Sequence, residues 1–355
     1  MIREIQNQVE WDALVIEQGG HPLQLWAWGE LKRAHGPWIP LRVIFMKDNP
    51  AEEGKGTARD ENHTFRPGAI GENHSVVPYV FGGAQILARK MPKPFGRMFY
   101  IPRGPFCAKN NRGEILKELT DWAKKRGGVE LKIEPDWTDA KLPAGWRCSK
   151  NRILVPQTAL IDLSKNEDEI LALAAKKTRQ YIRKSENSGV VVRRVTSKKD
   201  IATCLEIYRG TAEQRKFGLH DDSYYYDLAQ LASDANRIYL AEKDGQPLSF
   251  LWNLRTSSTE FELYGGVNEA GQELRSNYAL KWHAIRDAKT AGIKIYDLNG
   301  LLNDGISNFK RSFTDTETSW VGTWDKPLSP LYHVWETALP AAKKTVQIFN
   351  RFKKH

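Results

Sequence analysis

The sequence is poor in cysteine. Its three, Cys107, Cys148 and Cys204, stand far apart in a chain of 355 residues. No CxxC occurs and an odd number cannot all pair, so neither a disulfide framework nor a zinc framework is expected, and a reducing compartment fits. The eight histidines form no HxxxH or HExxH arrangement, so no metal site is legible. Long apolar runs are missing too. The best candidate, Val76 to Ala88, is broken by Pro78, Gly82 and Gly83 and falls short of the roughly 18 residues that cross a bilayer. The opening MIREIQNQVEWDAL is too polar for a signal peptide. These absences predict a cytoplasmic location, with any membrane contact peripheral to its inner face.

What is present suits two domains, because 355 residues exceed one ordinary core. The net charge is +10 and unevenly spread. Between Lys176 and Lys199 stand nine Lys or Arg and one acid, Glu186. A patch this dense attracts polyanions such as RNA, a diphosphate or an anionic membrane. The plain alternative is a solvated helix face.

Residues Asp48 to Ser75 carry no apolar period and read as a long surface loop. WIPLRVIFMKD precedes it, and VVPYVFGGAQILARK and RMFYIPRGPF follow it, as strands. NRGEILKELTDWAKKRGG has a helical period ending at Gly127-Gly128, and VELKIEP is another strand. The second half repeats the order. NRIYLAEKDGQPLSFLWNLRT reads as a hairpin turning at Asp244-Gly245. TEFELYGGV is a strand, ELRSNYALKWHAIRDAKTAG a helix and IKIYDLNG a strand. LKIEP and IKIYD thus fall at matching places roughly 160 residues apart, which implies an internal duplication of one α/β unit. Between the halves, Ile170, Leu173, Ala174, Lys177, Tyr181 and Ile182 predict one helix with a narrow apolar stripe and basic flanks.

The expected boundaries are 1–153 for a first unit containing the 48–75 loop, 154–328 for a second unit with the basic helix, and 329–355 for an amphipathic helix. In that last helix Leu331, Trp335, Ala338, Leu339, Ala342, Val346 and Phe349 share a face, and Pro340 interrupts it. It can dock on one of the units or lie on an anionic bilayer.

A duplicated unit of this kind with a cleft between the copies resembles tandem GNAT-like (acyl-CoA N-acyltransferase-like) folds. Such enzymes hold acyl-CoA on a Gln/Arg-x-x-Gly-x-Gly/Ala turn at a helix N-terminus. Neither RGPFCAKNNRG nor GGVNEAGQELRS matches that turn, which argues against CoA, and no cofactor is expected. WAWGELKR, KKTRQYIRKSENSGV, ELYGGV, YDLNG…NFKRSF and SWVGTWDKPL, in that order, resemble the FemABX family of peptidoglycan peptidyltransferases. The resemblance spans most of the chain outside the 48–75 loop, and with no long heptad segment it points to the compact branch without a coiled-coil hairpin.

The resemblance implies an aminoacyltransferase. It would take an amino acid from aminoacyl-tRNA and add it to the stem peptide of a peptidoglycan precursor, lipid II or UDP-MurNAc-pentapeptide. Lys310 matches the family's essential lysine in the Phe-Lys pair, placed to orient the donor or stabilise an oxyanion, with Phe309 against the terminal adenosine. Glu134, closing LKIEP, matches a cleft carboxylate and is a candidate base; Asp297 is an equally plain strand-end acid. Lys32 matches a phosphate-binding lysine. Tyr264 and Tyr225 or Tyr226 match substrate-contacting tyrosines, with core packing as the alternative. Lys176, Lys177, Arg179, Arg183 and Lys184 are the expected tRNA contacts. One departure stands out. Where compact members hold the diphosphate with an arginine, this chain has His220, Asp221 and Asp222, and Arg215 is the nearest substitute. Two other functions fit the same fold: a CoA- or carrier-dependent N-acyltransferase, and a non-catalytic RNA- or membrane-binding protein. The oligomeric state is not legible.

Overall fold

The computed structural model describes residues 1–48, 78–139, 141–302 and 304–337. The loop expected over Asp48–Ser75 lies, past its first residue, outside the described residues, as does the tail beyond 337.

The first half runs β1 (Ile2–Glu4), α1 (Gln8–Glu17), α2 (Trp26–Ala34), β2 (Ile39–Lys47), β3 (Tyr79–Lys90), β4 (Arg97–Pro102), β5 (Phe106–Cys107), α3 (Arg112–Lys125), β6 (Gly128–Glu134) and β7 (Arg147–Cys148). The second half opens with β8 (Gln157–Asp162), α4 (Glu167–Leu173), α5 (Lys176–Asn187), β9 (Val191–Arg194), α6 (Lys198–Arg215) and α7 (Asp222–Leu231). It continues with β10 (Asn236–Lys243), β11 (Gln246–Arg255), β12 (Thr259–Val267), α8 (Glu269–Glu273), α9 (Ser276–Thr290) and β13 (Ile295–Asp297). It closes with α10 (Gly305–Arg311), β14 (Glu317–Ser319) and β15 (Trp324–Pro327).

Two sheets result. One has the order β1-β2-β3-β4-β6-β15-β7, with β5 on β3; the other is β14-β8-β13-β12-β11-β10-β9. Each contains an antiparallel trio, β2-β3-β4 or β10-β11-β12, followed across a helix by a strand parallel to the third, β6 or β13. This is the duplication read from the element order, now with strand directions attached. The hairpin turn falls at Asp244 and Gly245, both with positive φ (50° and 75°), as a type I′ turn requires.

Two expectations are corrected. The single helix over 170–182 is two, because Ala174 is extended (φ −68°, ψ 143°). Ala175 N–H donates to the Ser312 carbonyl at 2.9 Å, which ties the break to the end of α10. A capping box of Asn166 and Glu169 starts the first of the pair. Second, β15, expected in the 154–328 unit, lies in the first sheet between β6 and β7. Its Asp325 pairs with Lys132 of β6, both buried.

The halves also share a core. Leu23, Ala27, Trp28 and Leu31 pack in one cluster with Leu205, Tyr208, Tyr224, Tyr225, Phe250 and Trp252. This sets α2 of the first half against α7 of the second. The C-terminal helix begins at 331, and Leu331 and Trp335 pack beside Met91 and Val129 of the first half. The remaining residues of its expected face lie outside the described residues.

Candidate functional site

The two parallel strand pairs differ in one respect that creates a site. β4 and β6 stay paired from Arg97–Gly128 to Pro102–Glu134. β12 and β13 pair only over Thr259–Phe261 and Ile295–Asp297. Beyond Phe261, β12 runs on to Val267 without that neighbour, and the notch is walled by α6, α9 and α10. A bulge opposite Trp252 and Asn253 leaves Leu263 as the extra residue. Around it, Glu262 to Val267 all border the notch along the edge of β12, with Glu262 bonded to Lys281 of α9 while Leu263 and Tyr264 pack against the shared core. The cavity, open on one side, is about 280 Å³, and its polar wall includes Arg215, Glu262, Tyr264, Asn277, Lys281 and Lys310.

Lys310 sits near the end of α10. Its Nζ donates to the carbonyls of Asn299 at 3.0 Å and Gly300 at 3.2 Å. Among the described residues that occupies two of its three N–H bonds and leaves one for the cavity. Burial lowers its pKa, and Glu262 and Asp297 pull the other way. The sharp turn that aims it comes from Asn299, at φ 58°, rather than from the loop glycines. Asn299 Nδ2 donates to the Glu262 carbonyl at 2.9 Å, fastening the turn to β12. Gly300 makes room instead, since a Cβ there would stand 3.1 Å from the Val155 side chain, which would have to shift. Asp304 caps α10 by accepting from Ser307 N–H at 2.8 Å. Phe309 packs edge-on against Tyr278 at 4.8 Å and Phe313 at 5.2 Å.

The cavity floor carries a buried ion pair that the sequence reading missed. Lys281 donates to both oxygens of Glu262, to Oε2 at 2.6 Å, and Tyr296 Oη donates to Oε1 at 3.0 Å. Burial lowers the Lys281 pKa, and Glu262 partly offsets it. Lys281 Nζ also lies 5.2 Å from the Phe309 ring centre. Three cations and one carboxylate therefore face one small volume, a setting for an anionic ligand or a developing negative charge.

The other expected residues divide. Tyr264 and Arg215 line the cavity. Tyr225 belongs to the shared core, its hydroxyl accepting from His220 N–H at 3.2 Å, and Tyr226 packs at the edge of that core. The tyrosine that approaches Tyr264 is Tyr224: the Tyr264 hydroxyl donates to Tyr224 Oη at 3.4 Å. Lys32 reaches the same oxygen from α2, its Nζ donating at 3.0 Å. His220 stacks on the Tyr224 ring at 3.9 Å, and Asp222 pairs with Arg209.

Glu134 is elsewhere and fully engaged. It is 2% exposed and accepts from Ile153 N–H at 2.8 Å, Leu154 N–H at 3.1 Å, and the hydroxyls of Tyr100 and Thr323. It joins β6 to the crossover between the halves, so the reading of Glu134 as a base at the cavity is corrected. Asp297 is likewise buried, holding the Thr158 hydroxyl and Asn299 N–H.

On α5, Lys176, Lys177, Arg183 and Lys184 are exposed. Arg179 turns back onto α4, donating to the carbonyls of Ala172 at 3.1 Å and Ala174, so its head serves the helix break rather than the basic face. Tyr181 meets Tyr278 edge-on at 5.0 Å. An aromatic row thus runs from the basic helix through Tyr278 to Phe309 at the cavity.

Comparison with known proteins agrees with this architecture. The model of the acetyltransferase (GNAT) domain matches residues 173–311, and that of the FemAB family matches residues 79–153. A lipid II:glycine glycyltransferase of Staphylococcus aureus (strain USA300) is 28% identical, over 99% of each chain. One of Staphylococcus epidermidis (strain ATCC 12228 / FDA PCI 1200) is 23% identical, over 98% of each. Among solved structures, FemX superposes with a TM-score of 0.76 at 19% identity, covering 94% of this chain and 100% of its own. A conserved protein of unknown function from Bacteroides thetaiotaomicron VPI-5482 gives a TM-score of 0.58 at 10% identity, over 92% and 99%. The fold is that of a tandem GNAT-like protein. Within that class, the chain is similar along nearly its whole length to lipid II:glycine glycyltransferases, and residues 79–153 match the FemAB family model. Among the described residues no helix is long and apolar enough to cross a membrane.

Proposed function

We propose that the chain is an aminoacyltransferase that takes an amino acid from aminoacyl-tRNA and adds it to an amine on the stem peptide of a peptidoglycan precursor. The observation that carries this reading is the Lys310 ammonium, held by two carbonyls with a proton left for the cavity. Attack of an amine on an ester makes a tetrahedral oxyanion, and a fixed cation in a closed site stabilises it. The relatives named lipid II:glycine glycyltransferase supply the class of acceptor.

The donor assignment draws on a second pair of observations. The exposed lysines and arginine of α5 suit a phosphate backbone. The row Tyr181, Tyr278 and Phe309 offers stacking surfaces toward the cavity. Arg215, on the cavity wall, is placed for a phosphate of either substrate. A precursor carried by a lipid would be met at the membrane surface.

The test is direct. The protein is incubated with a charged tRNA pool and either lipid II or UDP-MurNAc-pentapeptide, and the product is weighed. A mass gain of one amino acid that disappears after RNase treatment supports the reading. Transfer from acyl-CoA that resists RNase overturns it.

A further inference from the structure

One end of the first sheet gathers apolar side chains and cations that the cavity does not use. The strand register fixes which residues meet there. Ile39 opens β2 opposite Ala88, Lys90 closes β3 opposite Arg97, and Arg97 opens β4 beside Gly128 of β6. Three segments therefore come together at this end: the loop from α2 to β2, the turn from β3 to β4, and the start of the C-terminal helix.

The loop HGPWIP carries no acid. Its Ile39 is 59% exposed, and Trp38 beside it is half-buried with the Arg89 guanidinium 5.8 Å from its ring centre. Around the turn Arg89, Lys90, Lys93 and Arg97 are all exposed, and each stands without a carboxylate partner among the described residues. Phe95 of the turn packs on Trp335 at 5.2 Å, and Val334 next to it is 54% exposed. The acids close by are held: Glu30 by Arg33, Asp227 by His35 and Glu336 by Asn151. The chain that follows Thr337 leaves from this end and carries Lys343, Lys344, Arg351, Lys353 and Lys354 with no acid.

Apolar side chains ringed by cations suit the headgroup layer of an anionic bilayer, where the first enter and the second meet phosphates. RNA is the other polyanion at hand, but its phosphates gain nothing from exposed Ile39 and Val334. We infer that this end of the first sheet is the surface by which the protein sits on an anionic membrane, and that its acceptor is therefore the lipid-linked precursor. The second clause rests on the transferase reading above; the first does not.

The cavity lies on a path from this surface. Lys32 stands in the last turn of α2, at the root of the loop. Its Nζ meets Tyr224 Oη, and Tyr264 beyond it lines the cavity. A precursor whose diphosphate is held at Lys32, as the resemblance implies, would have its lipid toward the membrane and its stem peptide toward Lys310.

The full-length protein is sedimented with vesicles of phosphatidylcholine, or of an equal mixture with phosphatidylglycerol. Binding to the anionic vesicles is expected, weakened by salt, with little to the neutral ones. Replacing both Lys90→Gln and Lys93→Gln should weaken it roughly 30-fold, the scale of two cations at a charged surface. Ile39→Asp should weaken it too, and both variants should melt as wild type does. With charged tRNA, both should transfer more slowly to lipid II in anionic vesicles and at the wild-type rate to lipid II in neutral detergent. Wild type that stays in solution with anionic vesicles would overturn the inference, and so would variants that bind them unchanged. Variants that keep vesicle binding and lose affinity for tRNA would overturn it as well and give this end to RNA. Faster transfer to UDP-MurNAc-pentapeptide than to lipid II in vesicles would overturn the choice of acceptor. Vesicle binding is read without transfer, so a wild type that binds vesicles and transfers nothing would uphold the surface and overturn the functional reading.

Discussion

At the scale of single residues, the cavity depends on pairs that the sequence does not announce. Glu262 and Lys281 are a fully buried ion pair, so removing one charge strands the other. Glu262→Gln should cost roughly 3–5 kcal/mol in urea unfolding. An unchanged midpoint would show that Lys281 finds other compensation. Asn299 makes a second prediction. Asn299→Gly keeps the left-handed turn and loses two side-chain hydrogen bonds, to the Glu262 carbonyl and from Gly300 N–H, at about 1 kcal/mol each. Asn299→Ala loses the same bonds and adds strain at φ 58°, so it should be the less stable of the two. The reverse order would contradict the positioning role given to this turn. Lys310, Phe309 and Tyr264 could be singled out because short motifs surround them, whereas Arg215 came only as the nearest substitute for an arginine the pattern lacks. Lys281 was not, since a lysine inside ALKWHAIRD reads as a solvated helix position until α9 is packed. Tyr224 was missed for a related reason. In SYYYDL three neighbouring rings point about 100° apart around a helix, and only the docking of α2 says which one meets Lys32.

At the scale of elements, α5 is the informative case. Its basic composition was plain in the sequence, but the share that faces solvent was not. Reversing Lys177, Arg183 and Lys184 to Glu should weaken tRNA binding, flatten its salt dependence and leave the melting temperature near wild type. Arg179→Ala should do the opposite, lowering stability through the lost contacts to Ala172 and Ala174 while the salt slope holds. Equal effects of the two variants on tRNA would return Arg179 to the binding face. The strand and helix order of both halves was readable because apolar periods and turn residues mark it locally. The break at Ala174 was not, because a bond from Ala175 to Ser312, far along the chain, decides it.

At the scale of the whole molecule, duplication and divergence act together. Both halves repeat one unit, yet among the described residues it is the second that opens a notch, since β4–β6 pairing continues where β12–β13 pairing stops. Register of this kind is set by tertiary packing, and no residue pattern prints it. The crossing of β15 into the first sheet was equally hidden in SWVGTWDKPL. It makes the halves interdependent: Asp325→Ala takes one of two carboxylates from buried Lys132, leaving Glu130, and should unfold the protein at lower urea in one transition.

The central claim is that the cavity beside Lys310 is where the amino acid is transferred. It is met most directly by single-turnover transfer from aminoacyl-tRNA to the precursor, wild type against Lys310→Met, with the affinity for each substrate measured in parallel. The account predicts a rate lower by roughly 10²-fold or more, the scale of a lost oxyanion donor, with both affinities within a few fold of wild type. A Met variant that transfers at the wild-type rate would contradict it and place the chemistry elsewhere in the molecule.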